Sequence, residues 1–190
     1  DASVICPRRG RDAKTLPWLR ASKLNTVELA RLAFETYMRY NASAILVDVG
    51  GVGGGVYDQL NAMQINVYPV DFGSRADETY KVKCLNKRAE IYSRVRDWLA
   101  EGGCLPPDDP RLEDQGLSAQ LCAPTYTYSG DTKLQLESKK DLKRRLGVSP
   151  DDADALAITF AEPWLELSPS LGEIFGETSY SERNPYSQVN

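Results

Sequence analysis

The sequence of 190 residues contains no histidine. Without an imidazole side chain, the protein cannot assemble a Ser-His-Asp triad, a Cys-His pair, an HNH-type nuclease centre or a histidine-ligated metal site. Any hydrolysis that it catalyses must therefore depend on carboxylates, lysines or hard metal ions.

Cysteine is scarce, and its spacing excludes the common zinc sites. The four cysteines form no C-x-x-C pair, and no histidine is present to complete a mixed site. We expect buried, apolar free thiols of a reducing compartment at all four positions, which are Cys6, Cys84, Cys104 and Cys122.

The sequence also lacks long apolar runs. No segment approaches the roughly 18 apolar residues of a membrane span, and no charged-then-apolar signal segment opens the chain, so we expect a soluble intracellular protein. Its length and its 42% hydrophobic residues suit one domain, which we place at residues 1–164, before a tail of residues 165–190 rich in Ser, Pro, Gly and Glu. The net charge of -4 disfavours a generally basic nucleic-acid binder but leaves room for a local basic strip.

Hydrophobic periodicity in the first half of the chain predicts an α/β fold. A strand, a short helix and a second strand in succession predict a parallel pair with a right-handed crossover. The predicted elements are a hairpin from Ser3 to Leu19, a helix capped by Asn25 that runs to Asn41, a buried strand from Ala44 to Asp48, a helix from Val56 to Met63 and a strand from Ile65 to Val70.

The second half of the chain predicts three helices and one hairpin. The helices are expected from Leu85 to Leu99, from Leu112 to Leu121, and from a Ser149-Pro150 start to about Ala161. Alternation from Thr125 to Glu137 predicts a hairpin that protrudes as a β-ribbon.

Asp48 ends a strand that otherwise reads Ala-Ile-Leu-Val. Ligands collect at the carboxyl ends of strands in open α/β sheets, so Asp48 is a candidate site residue. The plainer alternative is that its carboxylate bonds backbone amides and turns the chain into the glycine-rich loop Gly50–Gly55. That loop lacks the lysine and the Ser/Thr of a P-loop and does not match the dinucleotide-binding pattern. We interpret it as backbone room beside a metal site, with an ordinary tight turn as the alternative.

Three further acids open the last predicted helix. Asp151 and Asp152 can be explained as acids that favour the positive end of a helix. Asp154 lies in a segment that is apolar around almost its whole circumference, so we expect it to be buried, and a buried unpaired carboxylate costs several kcal/mol. Because Asp151 and Asp154 are three residues apart, both can project from one helix face and share a divalent ion with Asp48.

Ligation by carboxylate oxygens alone favours Mg²⁺ or Mn²⁺ over Zn²⁺. Such a site suits phosphodiester hydrolysis, in which one ion lowers the pKa of the attacking water and another about 4 Å away stabilises the leaving oxygen. A basic strip between the hairpin and the last helix would attract a phosphate backbone, although a solvated helix face explains the same residues. The strip consists of Lys139, Lys140, Lys143, Arg144 and Arg145.

Two parts of the sequence resemble the nuclease domain of large terminase subunits from tailed bacteriophages. One is the segment from Asn86 to Ser118, followed in the same order by LESKKDLKRRLGVSPDDADALAITFA from Leu136 to Ala161. The other, ILVDVGGVGGGVYDQL from Ile45 to Leu60, is similar to the second acidic motif of that family. The likeness covers roughly residues 1–164, and its D-D-A-D-A-L-A-I run also resembles the last motif of RuvC-type resolvases.

The resemblance implies an RNase H-like mixed sheet flanked by helices and two-metal cleavage of double-stranded DNA concatemers during genome packaging. By position it implies Asp48 as the second acid, Asp151 as the third and Asp154 as a further helix carboxylate. It places Lys139 where the family tends to keep a lysine near the site, and it makes the β-ribbon a candidate for DNA contact. The charge of the basic strip makes Lys140, Lys143 and Arg144 candidates as well. The implied partners are a small terminase subunit, a portal protein and an ATPase domain of the same parent chain, in the host cell cytoplasm.

The start of the sequence departs from the family pattern. The family's first acid lies on the opening strand of the sheet, and residues 1–5 resemble the strand that follows it. We therefore expect the first strand and the first acid to be missing, which would weaken metal binding and leave the fragment open to inactivity, with Asp1 as a candidate accessory carboxylate. Two rival functions are a RuvC-like junction resolvase and a non-catalytic DNA- or portal-docking module on the same scaffold.

Overall fold

The computed structural model describes residues 2–109, 116–130, 132–147 and 149–162. Over these residues the chain forms six strands and six helices. The strands are β1 (Ser3–Ile5), β2 (Leu19–Ala21), β3 (Ile45–Asp48), β4 (Val67–Val70), β5 (Tyr126–Tyr128) and β6 (Leu134–Leu136). The helices are α1 (Thr26–Tyr40), α2 (Gly53–Ala62), α3 (Lys87–Ala100), α4 (Leu117–Cys122), α5 (Lys139–Leu146) and α6 (Asp151–Ile158).

The described strands pair two by two. β1 and β2 form an antiparallel hairpin, as do β5 and β6, whereas β3 and β4 lie parallel and are joined by α2. The predicted hairpins and the predicted strand–helix–strand unit are thus confirmed. Among the described residues these pairs form three two-stranded sheets, and no ladder of hydrogen bonds joins β1 to β3.

Helices cover both faces of the β3–β4 pair. Ile45 and Val47 point into a cluster with buried side chains of α1 and α2, and Leu46, between them, packs against the main core of α3 and α6. This alternation agrees with the prediction of a strand covered on both faces. All four residues of β3 are nevertheless only half-buried, since among the described strands β3 is paired along one edge.

The main core lies between α3 and α6. Its members are apolar side chains from both helices, from the end of β4 and from the segment after β1, and the best buried are Ala13, Ile91, Ala153, Leu156 and Ala157. A smaller cluster of Cys84, Ala89 and Leu134 fixes the β5–β6 hairpin to α3. Because α6 runs through the main core, any polar group on its inner side must find a partner.

The two predicted helix caps have different outcomes. At α1 the predicted Asn25 cap is confirmed, and it is part of a capping box. The amide of Glu28 donates to the Asn25 side chain and the Glu28 carboxylate accepts from the Asn25 amide, each at 2.9 Å. At α6 the predicted Ser149 cap is wrong. The cap position is Pro150, and the first-turn amides of Asp152 and Ala153 donate to the Gln120 side-chain oxygen at 2.9 and 3.2 Å. A residue of α4 therefore supplies the oxygen that a local cap would supply.

The prediction of buried cysteines is half correct. Cys84 is buried and Cys6 is half-buried, but Cys104 and Cys122 are exposed, and all four are free thiols. Cys122 is the last residue of α4, and Cys104 follows the end of α3 by four residues. For Cys6, burial raises the pKa of the thiol far above its usual value, so it remains protonated.

No helix among the described residues is both long and apolar enough to cross a membrane. Several predicted features lie outside the described residues, namely Asp1, the first part of the helix predicted from Leu112, the domain boundary at residues 164 and 165, and the tail.

Candidate functional site

Asp48 lies at the carboxyl end of β3, where it pairs with Val70 of β4. Its side chain is half-buried, and Oδ1 accepts a hydrogen bond of 2.9 Å from the Gly50 amide. Burial raises the pKa of Asp48 above its usual value, and the negative charges of Asp154 and Asp71 raise it further. The Gly50 amide and the positive charge of Lys139 oppose this rise. Asp48 thus lies within electrostatic range of an acid more than a hundred residues away in the sequence.

The glycine-rich loop passes very close to Asp48. A Cβ atom on Gly50 would lie 2.9 Å from Oδ1 of Asp48, and one on Gly53 would lie 1.7 Å from its carbonyl oxygen. Glycine is therefore required at position 53 and favoured at position 50 on packing grounds alone. The hydrogen bond from Gly50 shows that Asp48 does help to turn the chain, which was the plainer of the two interpretations. The hydrogen bond of this turn involves one of the two carboxylate oxygens of Asp48, Oδ1.

Asp154, in the first turn of α6, is buried and has cations around it. Its Oδ1 accepts a 2.7 Å hydrogen bond from the Tyr92 hydroxyl and lies 3.9 Å from Nε of Arg88. Its Oδ2 lies 2.6 Å from Nζ of Lys139, in an ion pair without hydrogen-bond geometry. The expectation that Asp154 is buried is confirmed, and its charge is compensated by groups from α3 and α5.

The other two acids of α6 make different contacts. Asp151 accepts a 3.0 Å hydrogen bond from the backbone amide of Ala2, beside β1. Asp152 is 1% exposed and binds Arg20 of β2 and, at 2.8 Å, the side-chain amide of Gln120. Burial raises the pKa of Asp152. Asp152 therefore has a structural role, joining the β1–β2 hairpin to α4 and α6.

The three predicted ligands do not all converge. Among the described residues, no three acidic side chains come together as a complete metal-binding group. Asp48 and Asp154 affect each other electrostatically, whereas the hydrogen bond of Asp151 is to the backbone at the start of β1. A role for Asp151 in metal binding stays a prediction.

Sequence reasoning did not single out three residues of this region. Asp71 comes directly after β4, and Asp48 is the last residue of β3. Because ligands collect at the carboxyl ends of strands, the reasoning that selected Asp48 also applies to Asp71. Tyr92 falls among the apolar positions of the α3 pattern, which gives no sign that its hydroxyl reaches Asp154. Arg88 gave no signal, because nothing in a helical pattern shows that a charged residue is buried.

The predicted basic strip lies on α5, anchored by the fully buried Leu142. Lys139 points to Asp154, and Lys140, Lys143 and Arg144 are exposed. Arg144 pairs with Asp141 at 2.7 Å, and Arg145 binds Glu137 and the Ala123 carbonyl at the base of the hairpin. The strip is thus a solvated helix face that adjoins the acids through its first residue.

Solved structures show which known proteins share this architecture. The chain is similar to the nuclease domain of the large terminase subunit gp2 of bacterial virus Sf6, with a TM-score of 0.59 and 22% identity over 80% of this chain and 77% of that one. The fold is that of a terminase nuclease domain. A lysine-to-alanine variant of the Sf6 domain with manganese gives a TM-score of 0.59 and 20% identity, covering 74% of this chain and 75% of that one. The same variant with calcium gives 0.59 and 22%, covering 74% of each.

The similarity to these solved structures confirms the α/β fold that the sequence resemblance implied. No protein-family model and no curated protein matches the chain.

Proposed function

We propose that this protein is a metal-dependent endonuclease that hydrolyses double-stranded DNA, acting as the nuclease of a viral DNA-packaging terminase. The observation that carries the proposal is the placement of Asp48 and Asp154. They come from a strand end and from a helix more than a hundred residues further along, and each lies within the electrostatic influence of the other and of Lys139. The terminase nuclease fold around them agrees with this function.

The residues at this place suit a hard divalent cation. Oδ2 of Asp154 is buried and accepts no hydrogen bond among the described residues, its contact there being the ion pair with Lys139. The glycine loop leaves open the space that a side chain on Gly50 would fill. Two carboxylates match Mg²⁺ or Mn²⁺, which keep several water ligands when they bind proteins. We therefore assign one ion to Asp48 and Asp154. The two-ion scheme needs further ligands, for which Asp71 and Asp151 are the candidates.

A bound divalent ion would supply a more acidic water and a positive charge for the phosphate oxygens. The protein's own residues prepare that step. Asp48 and Asp154 provide negative charge at one point, and Tyr92, protonated because burial raises its pKa, holds one oxygen of Asp154 in place. The exposed lysines of α5 offer positive charge to the DNA backbone beside the acids, which by themselves would repel it.

In this proposal the protein works next to an ATPase domain of its parent chain, with a small terminase subunit and a portal protein as partners. Its substrate would be concatemeric viral DNA, and its place the cytoplasm of the infected host cell. The terminase nuclease fold supports these partners through the architecture alone.

The test is Mn²⁺ binding by calorimetry together with cleavage of supercoiled plasmid in Mn²⁺. We expect Asp48→Asn and Asp154→Asn each to reduce cleavage by about 100-fold or more and to weaken Mn²⁺ binding, because each removes one of the two ligands. The matched control is Asp58→Asn, an exposed acid of α2, which should behave as wild type.

The same assay separates the rival functions. A four-way DNA junction cut much faster than linear duplex would replace the packaging nuclease by a junction resolvase. A folded protein that binds DNA but neither binds Mn²⁺ nor cuts any substrate would overturn the proposal in favour of a docking module.

A further inference from the structure

Arg88, in the first turn of α3, places a buried cation beside the proposed site. Its side chain is 8% exposed, and its Nη1 donates a 2.6 Å hydrogen bond to the carbonyl oxygen of Glu137. Its Nε lies 3.9 Å from Oδ1 of Asp154. Both Nε and Nη2 are buried without a hydrogen-bond partner among the described residues.

A guanidinium is charged at any pH at which the protein is folded, and burying it is costly unless opposite charge lies nearby. Asp154 supplies that charge. The guanidinium also lies 5.2 Å from the centre of the Tyr92 ring, within cation–π range. Arg88 and Tyr92 are four residues apart on α3 and therefore share one face of the helix, which is the face toward Asp154.

Arg88 also fixes the start of α5. Glu137, whose carbonyl oxygen it binds, comes directly before Ser138, the cap of α5, and two residues before Lys139. Lys139 in turn binds the other oxygen of Asp154. One arginine thus holds the backbone that carries Lys139 and lies beside the acid that Lys139 neutralises.

From this arrangement we propose that Arg88 and Tyr92 are positioning residues that hold Oδ1 of Asp154 against α3, so that Oδ2 is the oxygen presented to an exchangeable cation. The inference rests on the proposed function. Oδ1 of Asp154 contacts the Tyr92 hydroxyl and the buried Arg88 guanidinium. Oδ2 contacts Lys139, whose side chain is 44% exposed. Lys139 is free to give way to a divalent ion, whereas Arg88 is enclosed.

The experiment measures Mn²⁺ affinity by calorimetry and plasmid cleavage for Tyr92→Phe, Arg88→Lys and Arg88→Met. Removal of a group that orients a metal ligand weakens metal binding by about 10- to 100-fold. We expect about a 10-fold higher Kd for Tyr92→Phe. Arg88→Lys, which keeps the charge but cannot span both partners, should lie between wild type and Arg88→Met.

The control is Arg96→Lys with Arg96→Met, on the same helix but 60% exposed, for which the Mn²⁺ Kd should not change. A purely structural role would lower the melting temperature of the variants and leave the Kd of the folded protein unchanged. Tyr92→Phe removes only a hydroxyl, so it keeps the test valid if Arg88→Met does not fold.

Two negative results have different meanings. If Tyr92→Phe and Arg88→Lys bind Mn²⁺ as tightly as wild type while Asp154→Asn loses binding, the positioning role is wrong and the proposed function stands. If Asp154→Asn binds Mn²⁺ like wild type, the metal site itself is wrong, and the positioning role falls with it.

Discussion

Asp48 is half-buried, and burial and two nearby negative charges raise its pKa, with burial as the largest cause. A carboxylate must be ionised to bind a metal ion, so protons compete with the cation up to a higher pH than they would at an ordinary aspartate. Cation binding at this site should therefore weaken as the pH falls, beginning above the usual aspartate range near 4.

The positive charge of Lys139 lowers the pKa of Asp48. In Lys139→Met the pKa of Asp48 should be higher than in wild type, because the positive charge that lowers it is gone. The measurement is an NMR titration of the Asp48 carboxyl carbon without metal. Lys140→Met, one residue further along α5, is the control. An unchanged Asp48 titration in Lys139→Met would show that the two side chains do not interact in solution.

Sequence patterns made Asp48 and Asp154 candidates, since one ends a strand and the other lies on a helix too apolar for a solvated acid. The same reasoning explained Asp152 as an acid at a helix start, but it is buried against Arg20, 132 residues away in the chain. A partner so distant in sequence leaves no local pattern. Arg88 was missed for the same reason.

At the level of elements, α5 combines a buried anchor with an exposed basic face. We expect the double variant Lys140→Gln with Lys143→Gln to bind duplex DNA more weakly. The slope of log affinity against log salt should fall in magnitude by about 1 for each phosphate that the variant no longer neutralises, since fewer counterions are released on binding. Fluorescence anisotropy at several salt concentrations measures both effects.

The control for α5 is Arg31→Gln with Arg39→Gln on α1, which changes the net charge equally. Both of these arginines are exposed. If the α1 double variant changes the salt slope as much as the α5 variant does, DNA is attracted by overall charge and not by the α5 face.

The first residue of a helix can be predicted from the sequence when the groups that cap the helix are close to it in the chain. The Asn25–Glu28 capping box is complete within four residues, so the start of α1 was predictable. The start of α6 depends on Gln120, which belongs to another helix, and Pro150 takes the position next to the expected Ser149 cap. Periodicity gave the presence of α6 correctly, and only tertiary contacts fix where it begins.

For the whole molecule, acid stability follows from a network between α3 and the segment before it. Although burial works against it, hydrogen bonds from Tyr80, Arg96 and Lys81 lower the pKa of Asp97 to about 2. A folded-state pKa below the unfolded one stabilises the protein above the unfolded value, and that stabilisation is lost as the pH falls toward 2. Glu137, whose pKa is also about 2, acts in the same direction.

We therefore expect Asp97→Asn to be less stable than wild type at pH 7, by about 1 kcal/mol after solvent screening, and the difference to shrink between about pH 4 and pH 2. Urea unfolding followed by circular dichroism at several pH values measures the change. The same experiment on Asp58→Asn should show no such convergence. A difference for Asp97→Asn that stays constant down to pH 2 would contradict the lowered pKa.

The fold class followed from the order of the elements, because an alternation of strand, helix and strand has few compact arrangements. The arrangement of the described strands as three separate pairs did not follow. Pairing between strands far apart in the chain depends on which strand edges lie next to each other in the fold. Hydrophobic periodicity shows which face of a strand is buried but does not show which strand pairs with its edge.

Helix α6 contributes both to the main core and to the proposed cation site. Within eight residues, Asp154 faces the proposed cation while Ala153, Leu156 and Ala157 are completely enclosed. A substitution that repacks the interior side of this helix would also shift the carboxylate, so we expect thermal stability and cation affinity to change together. Stabilising substitutions are therefore better placed on α1, which contributes no residue to the proposed cation site.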